Sequence, residues 1–197
     1  MTIGEVVFLL LGVLAGGLVV LGPGRRWSLA GLVLAYLTQA LILEASGASI
    51  AAGAKLIAGW IACAILFMTV GRQPEARLGP GSGWSFRGLA VLLVALAAGG
   101  LGLNGWATMA QIPPAPASIS GLWMGVGLLG LGMAGDAFGA GVALLLAMAG
   151  FEAAYGLMET SLAVLALLAM IQVGVALVVS YMTQVAEARS GDEAKSG

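Results

Sequence analysis

Histidine is absent from this chain, and cysteine occurs once, as Cys63 within an apolar run. A single cysteine excludes a disulfide within the chain, and the lack of histidine removes the ligands that most zinc and haem sites need. Cys63 is therefore interpreted as a small core residue. The sequence also lacks a phosphate-binding Walker loop, a Gly-x-Ser-x-Gly elbow and a His-Glu-x-x-His motif. We expect no cofactor, no metal site and no catalytic centre of its own.

Charge is scarce as well: charged residues make up 9% of the 197 residues, against 60% hydrophobic ones. The net charge is −1, without the basic cluster typical of nucleic-acid binding, so nucleic acid is not an expected partner. Apolar runs long enough for the ~20-residue helix that crosses a bilayer fill most of the chain. Runs such as Val142–Gly150 do not alternate, which favours helices over barrel strands. The predicted fold is an all-α, polytopic transmembrane helix bundle in contact with the lipid bilayer.

Glycine, proline and polar residues divide the chain into about seven predicted spans. The spans form a single membrane domain, residues 1–185, and a polar cytoplasmic tail follows at residues 186–197. The first run has no basic residues before it, so we interpret it as a retained helix rather than a signal peptide. The prolines at 113, 114 and 116 predict a connector that cannot continue a helix. The spans are predicted at about Ile3–Leu21, Ser28–Glu44, Ile50–Val70, Gly88–Met109, Ser118–Ala134, Ala137–Met158 and Ser161–Val185.

The distribution of basic residues predicts the orientation, because cytoplasmic loops of membrane proteins carry an excess of lysine and arginine. With seven spans, every basic loop falls on one side, the N-terminus lies outside and the C-terminus inside. A six-span alternative, in which Ser118–Ala134 re-enters the membrane, would place the tail outside and lose that agreement. The Ala/Gly/Arg-rich composition indicates a bacterium, and hence its cytoplasmic (inner) membrane. The basic residues outside the predicted spans are Arg25, Arg26, Arg72, Arg77, Arg87, Arg189 and Lys195.

Glu152 is the most informative residue, because apolar sequence surrounds it on both sides. A carboxylate in hydrocarbon costs a few kcal/mol on insertion scales, and such residues commonly mark proton or ion paths. Tyr155 and Glu159 follow it at three and seven residues and share its helix face. These three residues are candidates for a proton relay. The alternative is that the two glutamates lie near the outer interface, with Glu159 capping the following turn.

Lys55 is the second ionisable residue in an apolar segment, about two turns inside the third span. Glu44, at the end of the second span, should lie on the same side of the membrane, so we predict a Glu44–Lys55 ion pair. Both residues join the list of proton-relay candidates. The alternative is that the long lysine stem extends to the outer surface and keeps its charge in water.

Several other polar or small residues have structural interpretations. Asp136 precedes the sixth span and is predicted to cap that helix. The Gly121-x-x-x-Gly125 spacing predicts a close helix–helix contact. Gln39, Gln172 and Ser180 are expected to hydrogen-bond neighbouring helices. Tryptophans near the predicted span ends are expected to form an aromatic belt at the interfaces: Trp27, Trp84, Trp106 and Trp123.

The segment Gly150–Gln172, with Glu152 and Glu159 in apolar sequence, resembles a family of small antiporter-type membrane subunits. The family includes the K/4L-type chain of respiratory complex I and its relatives in hydrogenase-4 complexes and multisubunit cation/proton antiporters. The resemblance covers about forty residues and implies that embedded glutamates belong to a proton path. The family usually places these glutamates on successive helices, whereas Glu152 and Glu159 follow one another on a single helix here.

The leading functional hypothesis is an integral membrane subunit of a multi-subunit ion- or proton-translocating redox or antiporter complex. Short loops, many glycines and the lack of a soluble domain are typical of a subunit that packs against other membrane subunits. A stand-alone small transporter or channel is the first alternative. A structural membrane scaffold or anchor is the second, and it would need no titratable site.

Overall fold

The chain folds into a bundle of α-helices in a computed structural model that describes residues 3–70, 84–101, 114–158 and 161–196. Within these ranges there are seven helices and no strand, which confirms the predicted all-α fold class. Their bounds are α1 Ile3–Leu21, α2 Arg25–Ala45, α3 Ser49–Val70, α4 Trp84–Leu101, α5 Pro114–Gly132, α6 Ala137–Met158 and α7 Leu162–Ser196.

Six of the described helices are long and apolar enough to cross a bilayer. The exception is α4, whose apolar segment, Phe86–Ala98, is shorter than a full span. The six-span alternative makes Ser118–Ala134 re-entrant. Most of this segment belongs to α5, a continuous helix of 19 residues that is long enough to cross the bilayer. The protein is therefore an integral membrane protein with a helical bundle, and its orientation remains a prediction.

The packing of α4 on α5 bears on the number of crossings. Gly125 of α5 faces Val94 of α4, whereas Gly121 faces Ala98. Residue numbers rise along α4 as they fall along α5, so the two helices are antiparallel. This pairing is the close contact that the Gly121-x-x-x-Gly125 spacing predicts. An antiparallel α4 supports seven crossings, even though its apolar segment is short.

An ion pair joins two connections at one end of the bundle. The Nη2 atom of Arg25, at the start of α2, lies 2.8 Å from Oδ2 of Asp136, just before α6. The other carboxylate oxygen of Asp136 accepts a hydrogen bond of 2.9 Å from the backbone N–H of Gly139, so Asp136 caps α6 as predicted. The Arg25 guanidinium also lies 5.3 Å from the centre of the Phe138 ring. The α1–α2 and α5–α6 connections thus share one side of the bundle.

Four predicted boundaries are wrong. Helix α4 starts at Trp84 rather than Gly88. Helix α2 starts at Arg25 rather than Ser28, so Arg25 and Arg26 lie in its first turn. Helix α5 starts at Pro114 within the predicted connector, because the first N–H groups of a helix have no helical acceptor and proline there loses no bond. Helix α7 continues through the predicted polar tail to Ser196. Most of the loops at 71–87 and 102–113 lie outside the described residues.

The bundle core depends on close approach of α5 and α6. A Cβ atom at Gly127 would lie 2.5 Å from the backbone nitrogen of Ala147, and one at Gly150 would lie 2.6 Å from that of Met124. Trp123, on α5, is fully buried, and its indole Nε1–H donates a 2.9 Å hydrogen bond to the Gly12 carbonyl of α1. The interfacial position predicted for Trp123 is therefore wrong, since its N–H finds a partner inside the bundle.

Candidate functional site

An ion pair is buried inside the bundle, between α3 and α6. The Nζ atom of Lys55 lies 2.9 Å from Oε1 of Glu152, and the two side chains are 2% and 0% exposed. Taking both charges out of water carries a large desolvation cost that their attraction offsets only when the geometry is favourable. Lys55 and Glu152 are the two buried charged residues in the described part of the chain, and the bundle places them in contact with each other.

The positions along the helices explain why these side chains meet. Lys55 and Glu152 each lie six residues from the end of their helix that is nearest the α2–α3 turn, and Gln39 of α2 does too. At a rise of 1.5 Å per residue, all three lie ~9 Å inside the bundle. Antiparallel helices of similar length therefore bring them to one level, about a third of the way across a bilayer core of ~30 Å.

Polar side chains from two further helices surround the pair. The Gln39 amide of α2 interacts with the Glu152 carboxylate. Tyr36, one turn deeper on α2, has its hydroxyl near Glu152 and next to the Gln172 amide of α7. All of these side chains are at most 2% exposed. The site formed by Tyr36, Gln39, Lys55, Glu152 and Gln172 is called the polar cluster below.

A glycine makes room for the tyrosine of the cluster. Gly59 lies one turn beyond Lys55 on α3, and a Cβ atom there would lie 2.5 Å from Cγ of Tyr36. The phenol ring therefore packs directly on the α3 backbone. Any larger residue at 59 would displace the ring and with it the hydroxyl that faces Gln172.

The polar cluster has unused hydrogen-bonding capacity. Lys55 and Glu152 lie at hydrogen-bonding distance, and their opposite charges attract each other. Among the described residues, neither carboxylate oxygen has a well-aligned partner, nor do the Tyr36 hydroxyl and the amides of Gln39 and Gln172. Buried polar groups are normally satisfied, and exceptions in native structures commonly mark strained or functional positions. The cluster can therefore offer donors and acceptors to a proton or a small ion.

The chemistry that this arrangement allows is proton exchange. While Glu152 is ionised, it neutralises Lys55. When it takes up a proton, the cluster carries the single positive charge of the lysine. Glu152 can accept and release this proton without any covalent bond between heavy atoms being broken. The neighbouring hydroxyl and amides can orient the groups between which a proton passes.

A second buried polar contact joins α3 and α7 near the opposite end of the bundle. The hydroxyls of Thr69 and Ser180 lie 2.7 Å apart, and the Gln184 Nε2–H donates to Ser180 Oγ at 3.3 Å. Thr69 lies one residue before the end of α3 and 14 residues beyond Lys55, a separation of ~21 Å along the helix. The prediction that Ser180 hydrogen-bonds a neighbouring helix is confirmed, and that helix is α3.

The predicted Glu44–Lys55 ion pair is wrong. Lys55 is directed into the bundle and pairs with Glu152 instead, whereas Glu44, at the end of α2, is exposed. The alternative in which Lys55 extends to the outer surface is wrong for the same reason. Burial among neutral side chains leaves Glu152 as the nearest source of negative charge for the ammonium group.

The two other relay candidates do not join the cluster. Tyr155 is half-buried, and its ring stacks on that of Phe151 with centroids 6.1 Å apart. Phe151 is exposed, so this aromatic pair lies toward the outside of the bundle. No hydrogen bond within the described part of the chain joins Tyr155 to Glu152. Glu159 lies outside the described residues.

Sequence reasoning identified both members of the ion pair but missed Tyr36 and Thr69. A signal for Tyr36 exists in the sequence, since it precedes Gln39 by three residues and must share its helix face. Thr69 carries no such signal, because a threonine within an apolar helix usually bonds its own backbone. Thr69 does so here as well, donating to the Ile65 carbonyl at 3.2 Å.

Comparison of the chain with protein-family models, with curated protein sequences and with solved structures finds no match.

Proposed function

We propose that this protein moves protons or cations across the membrane, with the polar cluster as its titratable site, as a membrane subunit of a larger ion-translocating complex. The complex would be of the type found in respiratory complex I, hydrogenase-4 and multisubunit cation/proton antiporters. The observation that carries the proposal is the fully buried Lys55–Glu152 pair. Glu152 acts as the proton-relay carboxylate, and Lys55 acts as its counter-charge.

The energetic cost of the pair supports a role in transport. Ionisable residues within membrane spans are rare and expensive, and they commonly line proton relays or ion paths. A scaffold subunit gains nothing from such groups, since replacing a buried ion pair by apolar residues is often neutral or stabilising. The unsatisfied oxygens and amides around the pair provide the contacts that a moving proton or ion requires.

The test uses the native complex. The chain is purified in mild detergent, its co-purifying chains are identified, and the complex is reconstituted in liposomes that contain a pH-sensitive dye. Glu152→Gln should abolish most proton translocation, because the amide cannot bind and release a proton. Glu44→Gln is the matched control, since it neutralises an exposed carboxylate near the same end of the bundle, and it should retain translocation.

A double variant keeps the test informative if Glu152→Gln fails to fold with Lys55 unpaired. Lys55→Gln/Glu152→Gln removes both charges and keeps two side chains capable of hydrogen bonding. It should assemble with the same co-purifying chains and translocate few protons. Undiminished proton translocation by an assembled complex that lacks both charges would exclude the proposed role.

A stand-alone transporter is the second candidate, because every residue of the polar cluster comes from this chain. Four helices, α2, α3, α6 and α7, complete the site without a partner. This candidate predicts proton or cation flux by the purified single chain in liposomes. The subunit proposal predicts flux only from the complex, so the same assay separates them.

A further inference from the structure

A groove of about 350 Å³ lies on the outer surface of the bundle, between α2 and α3. On α2 it is lined by Leu29, Ala30 and Val33, which follow Arg26 at spacings that define one helix face. On α3 it is lined by Ala64, Phe67 and the buried Cys63. Ala30, Val33, Ala64 and Phe67 are exposed, so the groove opens outward, toward the lipid.

Among the described residues that line this groove, Arg26 is the only charged one. It lies in the first turn of α2 and is exposed. Unlike Arg25, which pairs with Asp136, it forms no ion pair or hydrogen bond within the described part of the chain. Trp27, next to it, is also exposed, and tryptophan at a span end favours the headgroup level of a bilayer.

We propose that this groove is a binding site for one anionic phospholipid. The lipid phosphate pairs with the Arg26 guanidinium, and one acyl chain lies along the apolar seam between α2 and α3. Arginine binds phosphate through two parallel N–H groups, which gives the contact direction as well as charge. Basic sites between transmembrane helices are a known means of recognising anionic headgroups.

The dimensions of the groove agree with an acyl chain within one leaflet. Arg26 and Val33 are seven residues apart on α2, a distance of ~10 Å along the helix axis, compared with ~15 Å for half of the hydrocarbon core. Phe67 and Cys63 run in the opposite direction on α3 and lie at matching depths. The groove has its charged residue at the helix end and its apolar residues deeper in the membrane. This order fits a lipid, whose phosphate lies at the interface and whose acyl chain extends into the hydrocarbon core.

The experiment measures lipid binding to the full chain by native mass spectrometry. Purified protein in detergent receives phosphatidylglycerol or phosphatidylcholine with identical acyl chains. The unmodified chain should hold one phosphatidylglycerol in preference to phosphatidylcholine. Arg26→Gln should lower the occupancy by phosphatidylglycerol about fivefold, the effect of one interfacial charge. Arg189→Gln, which removes another exposed arginine, is the control and should leave it unchanged.

A second pair of variants tests the apolar part of the site while all charges are kept. Ala64→Leu places a larger side chain in the groove and should also lower occupancy, whereas Ala54→Leu changes an exposed alanine of α3 outside the groove and should not. Equal binding of the two lipids, or occupancy that neither Arg26→Gln nor Ala64→Leu lowers, would overturn the proposal. Neither Arg26 nor Ala64 belongs to the polar cluster, so the result is independent of transport.

Discussion

At the scale of single residues, the Lys55–Glu152 pair dominates the energetics of the bundle. Each charge neutralises the other, and both side chains are buried away from solvent. The pair adds little stability compared with two well-packed apolar residues, but the loss of one partner leaves the other charge buried and unpaired. This asymmetry gives the pair a distinctive mutational signature.

Lys55→Met should therefore lower the free energy of unfolding by about 3–5 kcal/mol, since it strands the Glu152 carboxylate. Adding Glu152→Met to that variant should recover most of the loss, because no buried charge remains. Unfolding of the purified protein in mixed micelles, with increasing sodium dodecyl sulfate, measures both. If the double variant were as unstable as the single one, the cost would come from packing rather than from the unpaired charge.

The sequence identifies Glu152 and Lys55 individually because each interrupts an apolar run, yet it does not reveal that they form a pair. Pairing depends on how each helix is rotated about its axis. In a soluble helix, the apolar stripe indicates that rotation. In α3 and α6 nearly every face is apolar, so the stripe is lost, and nearness in sequence wrongly favoured Glu44 as the partner of Lys55.

At the scale of elements, glycine determines where helices touch. Lipid is as apolar as leucine, so helices in a bilayer associate through close packing rather than through the hydrophobic effect. Gly127 and Gly150 let the α5 and α6 backbones approach within van der Waals contact, and α6 carries Glu152. The position of the carboxylate therefore depends on residues that have no side chain.

Gly127→Ala should destabilise the bundle by about 1–3 kcal/mol, as overpacking of a close contact does. The added methyl group would lie 2.5 Å from the Ala147 nitrogen and 2.7 Å from the Ala143 carbonyl oxygen, both backbone atoms that cannot rotate away. Gly174→Ala on α7 is the control, because a Cβ atom there has no neighbour within 4 Å. The midpoint of thermal unfolding in detergent compares the two, and equal midpoints would contradict this view of the α5–α6 contact.

Element boundaries show what composition can and cannot predict. Helix α1 has the predicted bounds, because glycine and proline follow it directly. Helix α5 begins earlier than predicted, since Pro114 and Pro116 occupy its first turn, where proline is tolerated. The extension of α7 to Ser196 reflects helix propensity in a polar segment, which a search for apolar runs does not detect.

At the scale of the whole molecule, the alternation of helix directions predicts which loops share a side. The Arg25–Asp136 ion pair places the α1–α2 and α5–α6 connections together, and the Ser46–Ala48 turn lies at the other end. The positive-inside rule adds the prediction that the arginine end is cytoplasmic.

Cysteine labelling tests this orientation. In a Cys63→Ser background, Ser46→Cys should react with a membrane-impermeant maleimide in intact cells. Ala188→Cys, at an exposed position of α7 beyond the span, should react only after the membrane is opened. The reverse pattern would invert the orientation, and labelling of both sites in intact cells would mean that the α2–α3 turn and the end of α7 share one side.

The depth of the Lys55–Glu152 pair has an electrical consequence. The pair lies about a third of the way into the bilayer core, so one elementary charge there experiences about a third of the membrane potential, ~0.8 kcal/mol per 100 mV. Ionised, the pair is neutral and insensitive to voltage, whereas protonation of Glu152 leaves one net charge inside the field. The ratio of protonated to ionised Glu152 should change about fourfold per 100 mV. Proton uptake by the protein, in liposomes whose membrane potential is set by a potassium gradient and valinomycin, measures this change. A carboxylate at the membrane surface would show no such dependence. The depth of the Lys55–Glu152 pair alone therefore makes its proton occupancy sensitive to voltage.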